Sequence, residues 1–422
     1  MSKKALQTGH DDDHHGRLEI EYLATSALTP DPRNARKHSA KQIAKLAHII
    51  SEFGWSSPII IDELNMVLAG HARLQAAKSL RMTDVPCVRL PHLDAPAKKA
   101  LAIADNAMTD ASSFDDSILR ETLIELTGLE FDLDLTGLEM GVIDFLIDGS
   151  PSDAPMDPAD LIEAPNSDQP AITRSGDLWL LGEHRLLCGN ALEPDAYQTL
   201  MGDERASMVF SDPPYNVPIN GHVSGLGRHQ HREFAMASGE MSEDQFRSFL
   251  TTAMQHMCAF ARDGSIHFLC IDWRHVRTML EAGDKLYTEL KNIVVWNKTN
   301  GSMGSLYRSK HELIVVFKQG TASHVNHVAL GKHGRHRTNV WDYPGANAFG
   351  KSRDRDLAAH STPKPIALVA DAMRDCSDRG DLILDPFMGS GTTIMAAERS
   401  ARRAAGMEID PLYVDSAVRR WE

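Results

Sequence analysis

An α/β fold with a doubly wound sheet, preceded by a smaller α+β domain, is what this 422-residue sequence predicts. Three observations carry the prediction. From Gly176 onward, short apolar runs alternate with helical patterns. One run, "LILDPFMGSGTT", passes from strand through glycines into a helix. Upstream, the Pro-, Asp- and Ser-rich stretch "GSPSDAPMDPADLIEAPNSDQP" sets this region apart from an N-terminal part with its own short strands.

Taken in order, residues 1–17 read as a disordered tail, "HDDDHH" included, with no metal site expected in it. Residues 18–90 follow as a domain. Ile43, Leu46, Ala47 and Ile50 recur at helical spacing, and "PIIID" and "MVLAG" read as strands joined by the turn "DELN". Gly70 then leads into a helix carrying His71, Arg73 and Lys78, which suits an anion at a helix N-terminus. The competing reading makes His71 and Arg73 helix-capping residues. Residues 91–149, with "ALAIADNAMTD", read as a helical connector packed on that domain, and 150–172 as an acidic linker.

Residues 173–422 carry the larger sheet. Strands are expected at Trp179–Leu181, Arg185–Cys188, Ser207–Ser211, Ser265–Ile271, Asn292–Trp296, Leu313–Phe317, Leu382–Leu384 and Ala404–Met407. Helices fit Ser242–Arg262, where Ser242 and Gln245 form a capping-box pattern, and Trp273–Ala282, Lys364–Asp375, Thr392–Ala401 and Pro411–Trp421.

Composition excludes several classes. Hydrophobic residues make up 42% and charged residues 24%, as in ordinary soluble proteins. No apolar run approaches the roughly 20 residues of a membrane helix. The first residues lack the apolar segment of a secretory signal. Cys87, Cys188, Cys258, Cys270 and Cys376 never form a CxxC pair, which points to free thiols in a reducing, cytoplasmic setting. The net charge of −14 looks hostile to nucleic acid, yet 13 acidic residues lie between Glu121 and Thr173 with no Lys or Arg among them. Between Lys291 and Arg355, 11 Lys or Arg face only Glu312, Asp342 and Asp354. That block fits a phosphate-binding face or a set of solvated basic loops.

The glycine turn has a partner. Gly389 and Gly391 let the backbone bend sharply ahead of a helix N-terminus, and a second short strand ends at Glu408, 17 residues past Gly391. An acidic residue there is where a doubly wound fold grips ribose hydroxyls. No Lys follows the glycines, so a phosphate-cradling loop is disfavoured. A nucleoside without phosphates fits, and S-adenosylmethionine is one.

The run Ala206–Phe210 ends in Asp212, Pro213, Pro214 and Tyr215. A carboxylate and the Pro213 main-chain carbonyl can accept both hydrogens of an exocyclic amine. That frees the nitrogen lone pair for attack on a methyl donor. Proline fixes φ and removes competing donors, and Tyr215 offers a stacking face for a base turned out of the duplex.

"SDPPYN", "DPFMGSGTT" and "HSTPKP" resemble the catalytic, cofactor and carboxylate-end motifs of amino-group DNA methyltransferases. Their order is that of the permuted β class, with a Rossmann-like methyltransferase fold. The resemblance covers about Asp177–Glu422. It implies that Asp212, Pro213, Pro214 and Tyr215 are catalytic. It also implies that Asp385, Phe387, Gly389, Ser390, Gly391 and Thr392 line the cofactor S-adenosyl-L-methionine and that Glu408 holds its ribose. Thr362 and Lys364 would lie near the cofactor's carboxylate end. "CGNAL" stands where the family usually has Gly-Asp, so Asn190 would approach the cofactor adenine. "DPPY" favours the 6-amino group of adenine over the 4-amino group of cytosine.

Double-stranded DNA with a flipped base is the implied partner, in the setting of restriction–modification, with monomer and homodimer both open. The loops between about 216 and 360 are expected to read the target. Arg308, Lys310, Arg335 and Arg337 are expected to bind its phosphates, so that replacing the last two weakens DNA binding and flattens its salt dependence. The histidines there (His222, His229, His231, His333, His336) form no ligand pattern. "NAR", "GW..P" and "GHARLQAAK" resemble the ParB/sulfiredoxin-type domain over about Leu18–Leu90. This implies a loop at Gly70, His71 and Arg73 able to hold nucleotide phosphates. A rival of another class follows: a nucleotide-dependent DNA-binding protein whose methyltransferase half is inactive.

Overall fold

A computed structural model of the chain describes residues 18–34, 36–110, 113–149, 157–160, 170–217, 236–298, 306–345 and 364–422. The chain divides into two compact units, Met1–Glu139 and Met140–Glu422.

The first unit contains β1 (Ile20–Ala24), β2 (Thr29–Pro30), α1 (Ala40–Phe53), β3 (Ile59–Ile61), β4 (Met66–Ala69), α2 (His71–Ser79), β5 (Asp84–Arg89), α3 (Ala95–Asp110) and α4 (Asp116–Gly128). Its five strands run β1-β5-β3-β4-β2. Ser39 caps α1 by accepting from the Gln42 N–H, and the helix buries Ala47 and Ile50. Asp62 closes the β3–β4 turn by accepting from the N–H groups of Leu64 and Met66. Leu28, Ile59, Ile61, Val67, Leu74 and Val85 fill the core under the sheet.

The second unit begins one helix earlier than the sequence suggests. α5 (Met140–Asp148) sits here and not with the connector: its Asp144 is fully buried between Arg402 and Arg379, and Asp148 pairs with Arg374. A buried carboxylate needs such partners, and they come from the far end of the chain. Part of the expected linker is also tied down: Asp157 pairs with Arg399, and Asp160 accepts from the Ile366 N–H.

The strands are β6 (Leu178–Leu181), β7 (His184–Cys188), β8 (Ala206–Ser211), β9 (Ala261–Ile271), β10 (Glu289–Asn297), β11 (His311–Lys318), β12 (Val340–Asp342), β13 (Leu382–Asp385) and β14 (Arg403–Glu408). The helices are α6 (Pro194–Met201), α7 (Glu243–Ala259), α8 (Val276–Gly283), α9 (Ile366–Cys376), α10 (Thr392–Arg399) and α11 (Pro411–Trp421). The sheet order is β12-β10-β11-β9-β8-β13-β14-β7-β6. Strands β9, β8, β13, β14 and β7 are mutually parallel, whereas β6–β7, β9–β11 and β10–β11 pair antiparallel. The expected parallel pattern therefore holds at the centre and gives way to antiparallel pairs on either side, with β12 added parallel to β10 at one edge.

Both faces are covered. Met208, Phe210 and Ile383 pack among α9, α10 and α11, while Val209, Leu382 and Leu384 pack among α6, α7 and α8. Alternation with period two along fully buried strands makes this double burial possible. Each large apolar side chain so buried contributes roughly 1.5–3 kcal/mol. α7 begins with the capping box read from the sequence: the Ser242 Oγ accepts from Gln245 N–H and the Gln245 Oε1 accepts from Ser242 N–H.

Candidate active site

Because β8, β13 and β14 are parallel neighbours, their C-terminal ends meet at one edge of the sheet. There a cavity is walled by Asp212–Tyr215 after β8, by Pro386–Ser390 after β13 and by Glu408–Asp410 after β14. Lys364, Thr392, Thr393 and Tyr413 also line it, as do Gly189 and Ala191 after β7. Separate stretches of the sequence thus converge on one cleft.

At one end lies the glycine turn. Gly389 adopts φ +55° and donates its N–H to Glu408 Oε2 at 2.9 Å, while the Asp410 N–H reaches Oε1 at 2.9 Å. Gly391 adopts φ +87°, and a Cβ there would stand 2.8 Å from that of Ala417, so only glycine fits. It shapes the turn without itself entering the wall. Asp385 ties strand to turn, accepting from Ser211 Oγ (2.9 Å), Thr393 Oγ1 (2.6 Å) and the Phe387 N–H (3.1 Å). Arg420 fastens the turn from behind through the Ser390 carbonyl and Thr392 Oγ1, each at 3.0 Å. Burial pushes the Asp385 carboxyl up to about 6 and the Glu408 carboxyl up to about 7, despite the N–H groups that favour their ionised forms.

At the other end lies Asp212. Its Oδ1 accepts from the Tyr215 hydroxyl at 2.5 Å, and its Oδ2 from Lys364 Nζ at 2.5 Å. Lys364 also reaches Glu312 Oε2 at 3.0 Å, and Lys298 pairs with the other oxygen of Glu312. Burial raises the Asp212 carboxyl, and the pull of Lys364 does not fully offset it. Burial would raise Glu312 too, but Lys298 and Lys364 outweigh it and hold that group at about 2. Lys364, which the resemblance places toward the cofactor's carboxylate end, bonds the Asp212 carboxylate. Glu312 and Lys298 carried no signal in the sequence, since only the pairing of β10 with β11 brings them together.

Other expectations fare differently. Asn190 turns toward its own loop, accepting from the Leu192 N–H and donating to Glu193, while its neighbours Gly189 and Ala191 line the cavity. Thr362, His222, His229 and His231 lie outside the described residues. Arg308 and Lys310 are exposed.

Arg335 and Arg337 are not a DNA-facing pair. Arg335, 4% exposed, bonds Asp375 and Asp371 on α9; Arg337 bonds the same two carboxylates and the Tyr343 hydroxyl. Guanidinium groups held this way by two carboxylates have little charge left to offer a phosphate. In the first unit His71 Nε2 accepts from the Asp31 N–H at 3.2 Å, and Arg73 donates to the Pro58 carbonyl at 2.7 Å. Gly70 supplies the left-handed N-cap of α2. Burial depresses the His71 imidazole, which leaves that helix start neutral on its side.

A cleft at the C-terminal ends of parallel strands, with the half-buried Asp212–Tyr215 stretch in its wall, has the architecture of an α/β methyltransferase of amino groups. Residues 206–419, about half the chain, match the DNA methylase family, and the protein belongs to that N6/N4 family. Residues 9–107 match the ParB N-terminal domain and residues 117–175 the ParB-methyltransferase HTH domain. The stretch read from sequence as connector and linker is thus similar to a helix-turn-helix module. Over 77 residues the chain is 43% identical to the ParB-like nuclease domain-containing protein YnaK of Escherichia coli (strain K12), covering 18% of this chain and 88% of that one. The N-terminal part belongs to that ParB-like group.

Type II methyltransferase M.HinfI of Haemophilus influenzae is 25% identical over 238 residues, covering 52% of this chain and 63% of its own length. The chain spans less than two thirds of the curated methyltransferases it matches. A solved M1.HpyAVI–SAM complex aligns over 56% of this chain and 98% of that one, at 16% identity and a TM-score of 0.39.

Proposed function

We propose that this protein transfers a methyl group from S-adenosyl-L-methionine to the 6-amino group of adenine in DNA. The observation that carries the reading is the single cavity shared by Asp212, the glycine turn and Glu408. The wall fits the cofactor's nucleoside. Glu408 offers a half-buried carboxylate suited to vicinal hydroxyls, Phe210, Met388 and Ile409 offer apolar surface for a purine, and Lys364 is the only Lys or Arg among the described lining residues. When bound there, S-adenosyl-L-methionine supplies an electrophilic methyl on its sulfonium.

The protein's own groups do the remaining work. Asp212 and the Pro213 carbonyl accept the two N–H bonds of the amine and draw its nitrogen toward tetrahedral geometry. Asp212, raised above an ordinary Asp, is a better proton acceptor than an exposed one once the new C–N bond has formed. Tyr215 supports that carboxylate through its hydroxyl and gives a ring against which a flipped base can stack. "DPPY" favours adenine as the base. The ParB-like unit serves as a docking module for DNA or nucleotide, and Arg308 and Lys310 serve as phosphate contacts.

The test is to incubate purified protein with labelled cofactor and DNA, digest to nucleosides and identify the product by mass spectrometry. N6-methyladenine is expected. N4-methylcytosine would transfer the same geometry to the other base. An unmodified digest, with nucleotide altering DNA binding, would favour a ParB-like binding protein with an inactive methyltransferase half.

A further inference from the structure

An ammonium stands where the proposed reaction needs an amino group. Lys364 Nζ donates to Asp212 Oδ2, the acceptor that a target amine requires. An amine arriving at Oδ2 competes with this bond, and a buried ammonium left without a partner would cost more than the exchange could return. Lys364 is 5% exposed, so solvent cannot take it. A second carboxylate stands ready: Glu312 Oε2 lies 3.0 Å from the same Nζ and 3.3 Å from the Tyr215 hydroxyl. Glu312 is itself 6% exposed and tethered by Lys298, whose ammonium sits 4.5 Å from the Trp296 ring centre. Lys364 lies 5.8 Å from that same ring. Both cations thus stand near one indole, a favourable place for each.

We propose that Glu312 is a positioning residue of the methyl-transfer site: it holds Lys364 while Asp212 exchanges its bond to that ammonium for bonds to the incoming amine. The inference rests on the methyl-transfer reading above. Glu312 acts through Lys364 and Tyr215 and touches no reacting atom. The charged and titratable groups facing Asp212 are Tyr215 from its own loop, Lys364 ahead of α9, Glu312 on β11, Cys270 on β9 and Asp385 on β13. Lys298 stands behind Glu312. Of these, Glu312 adds negative charge near Asp212, and Lys298 cancels part of it.

This gives two substitutions with opposite signs. Glu312→Gln removes a negative charge, so Asp212 ionises more readily, but Lys364 is left to Asp212 alone. Lys298→Met uncovers the charge of Glu312, so Asp212 ionises less readily. The experiment measures single-turnover methyl transfer to DNA against pH for wild type, both variants and Glu312→Asp, with thermal melts confirming that each is folded.

For Glu312→Gln the plateau rate is expected to fall roughly tenfold or more. Its acid limb should move to lower pH, the limb of Lys298→Met should move to higher pH, and Glu312→Asp should recover most of the rate. A Glu312→Gln rate within about twofold of wild type overturns the proposal, as do limbs that stay put or move together. Should Glu312→Gln fail to fold, Lys298→Met decides: an upward limb supports the proposal and an unmoved one overturns it. A wild type that transfers no methyl group overturns the methyl-transfer reading and this proposal with it. An active wild type with unmoved variants overturns the proposal alone.

Discussion

Two clusters of buried charge lie in the second unit and use the same ingredients for opposite ends. In one, Arg335 and Arg337 lock onto Asp371 and Asp375, with Tyr343 closing the group. In the other, Lys364 and Lys298 meet Asp212 and Glu312, with Tyr215 in Tyr343's role. The difference is access. Both carboxylates of the first cluster belong to one helix and are consumed by arginines, whose planar forks hold them rigidly. The second cluster opens onto the cavity and uses lysines, whose single ammonium can pass between acceptors. A closed cluster of this type stabilises a loop. An open one can carry out chemistry.

Substitutions at the two clusters should therefore fail in different ways. Arg335→Ala leaves Asp375 to Arg337 alone, so unfolding free energy should drop by about 1–3 kcal/mol, read by denaturant titration. Methyl transfer per folded molecule should stay near wild type; a large loss in folded protein would move this cluster into the site. Asp212→Asn should do the reverse. Transfer should fall by about 10²–10³-fold with little change in the melting temperature. A variant retaining more than about a tenth of the rate would remove Asp212 from the reaction.

Smaller effects probe the cofactor end. Burial pushes the Glu408 carboxyl up to about 7, and on the proposed reading its ionised form accepts the ribose hydroxyls. Protonation below that value should therefore weaken the cofactor. Affinity is expected to be about tenfold lower one pH unit below 7 than one unit above it. Calorimetry should also show the dependence largely lost in Glu408→Gln, leaving only what Asp385, near 6, contributes. Last, replacing Arg308 and Lys310 with Ala should weaken DNA binding alike for all sequences and reduce the salt slope by about 2. An unchanged slope would leave the basic block without phosphate contacts.

Much of this was legible beforehand. Asp212 announces itself because an apolar strand cannot end in a carboxylate and two prolines without reason. Gly389, Gly391 and Glu408 announce a glycine turn and an acidic strand end through spacing, and the structure bonds the Gly389 N–H to Glu408. α6 was missed although Pro194 stands at its first turn and Tyr197, Leu200 and Met201 recur at helical spacing. The strand Val340–Asp342 was missed because three residues carry no periodicity. The boundary after Glu139 was misplaced because α5 is amphipathic like its neighbours, and only Arg402, Arg379 and Arg374 reveal where it belongs.

What the amino-acid order determined alone was local: which residues end strands, which turns need glycine, and where an acceptor follows an apolar run. Such features depend on backbone sterics and on side chains a few positions apart. Tertiary structure alone decided which charges meet. Arg337 and Arg308 look alike in a basic stretch, yet one is sealed against α9 and the other faces solvent. Glu312 became part of the site because β11 carries it to Lys364, 52 positions along the chain. Coulomb energies depend on distance and desolvation in three dimensions, and neither is written in the spacing of letters.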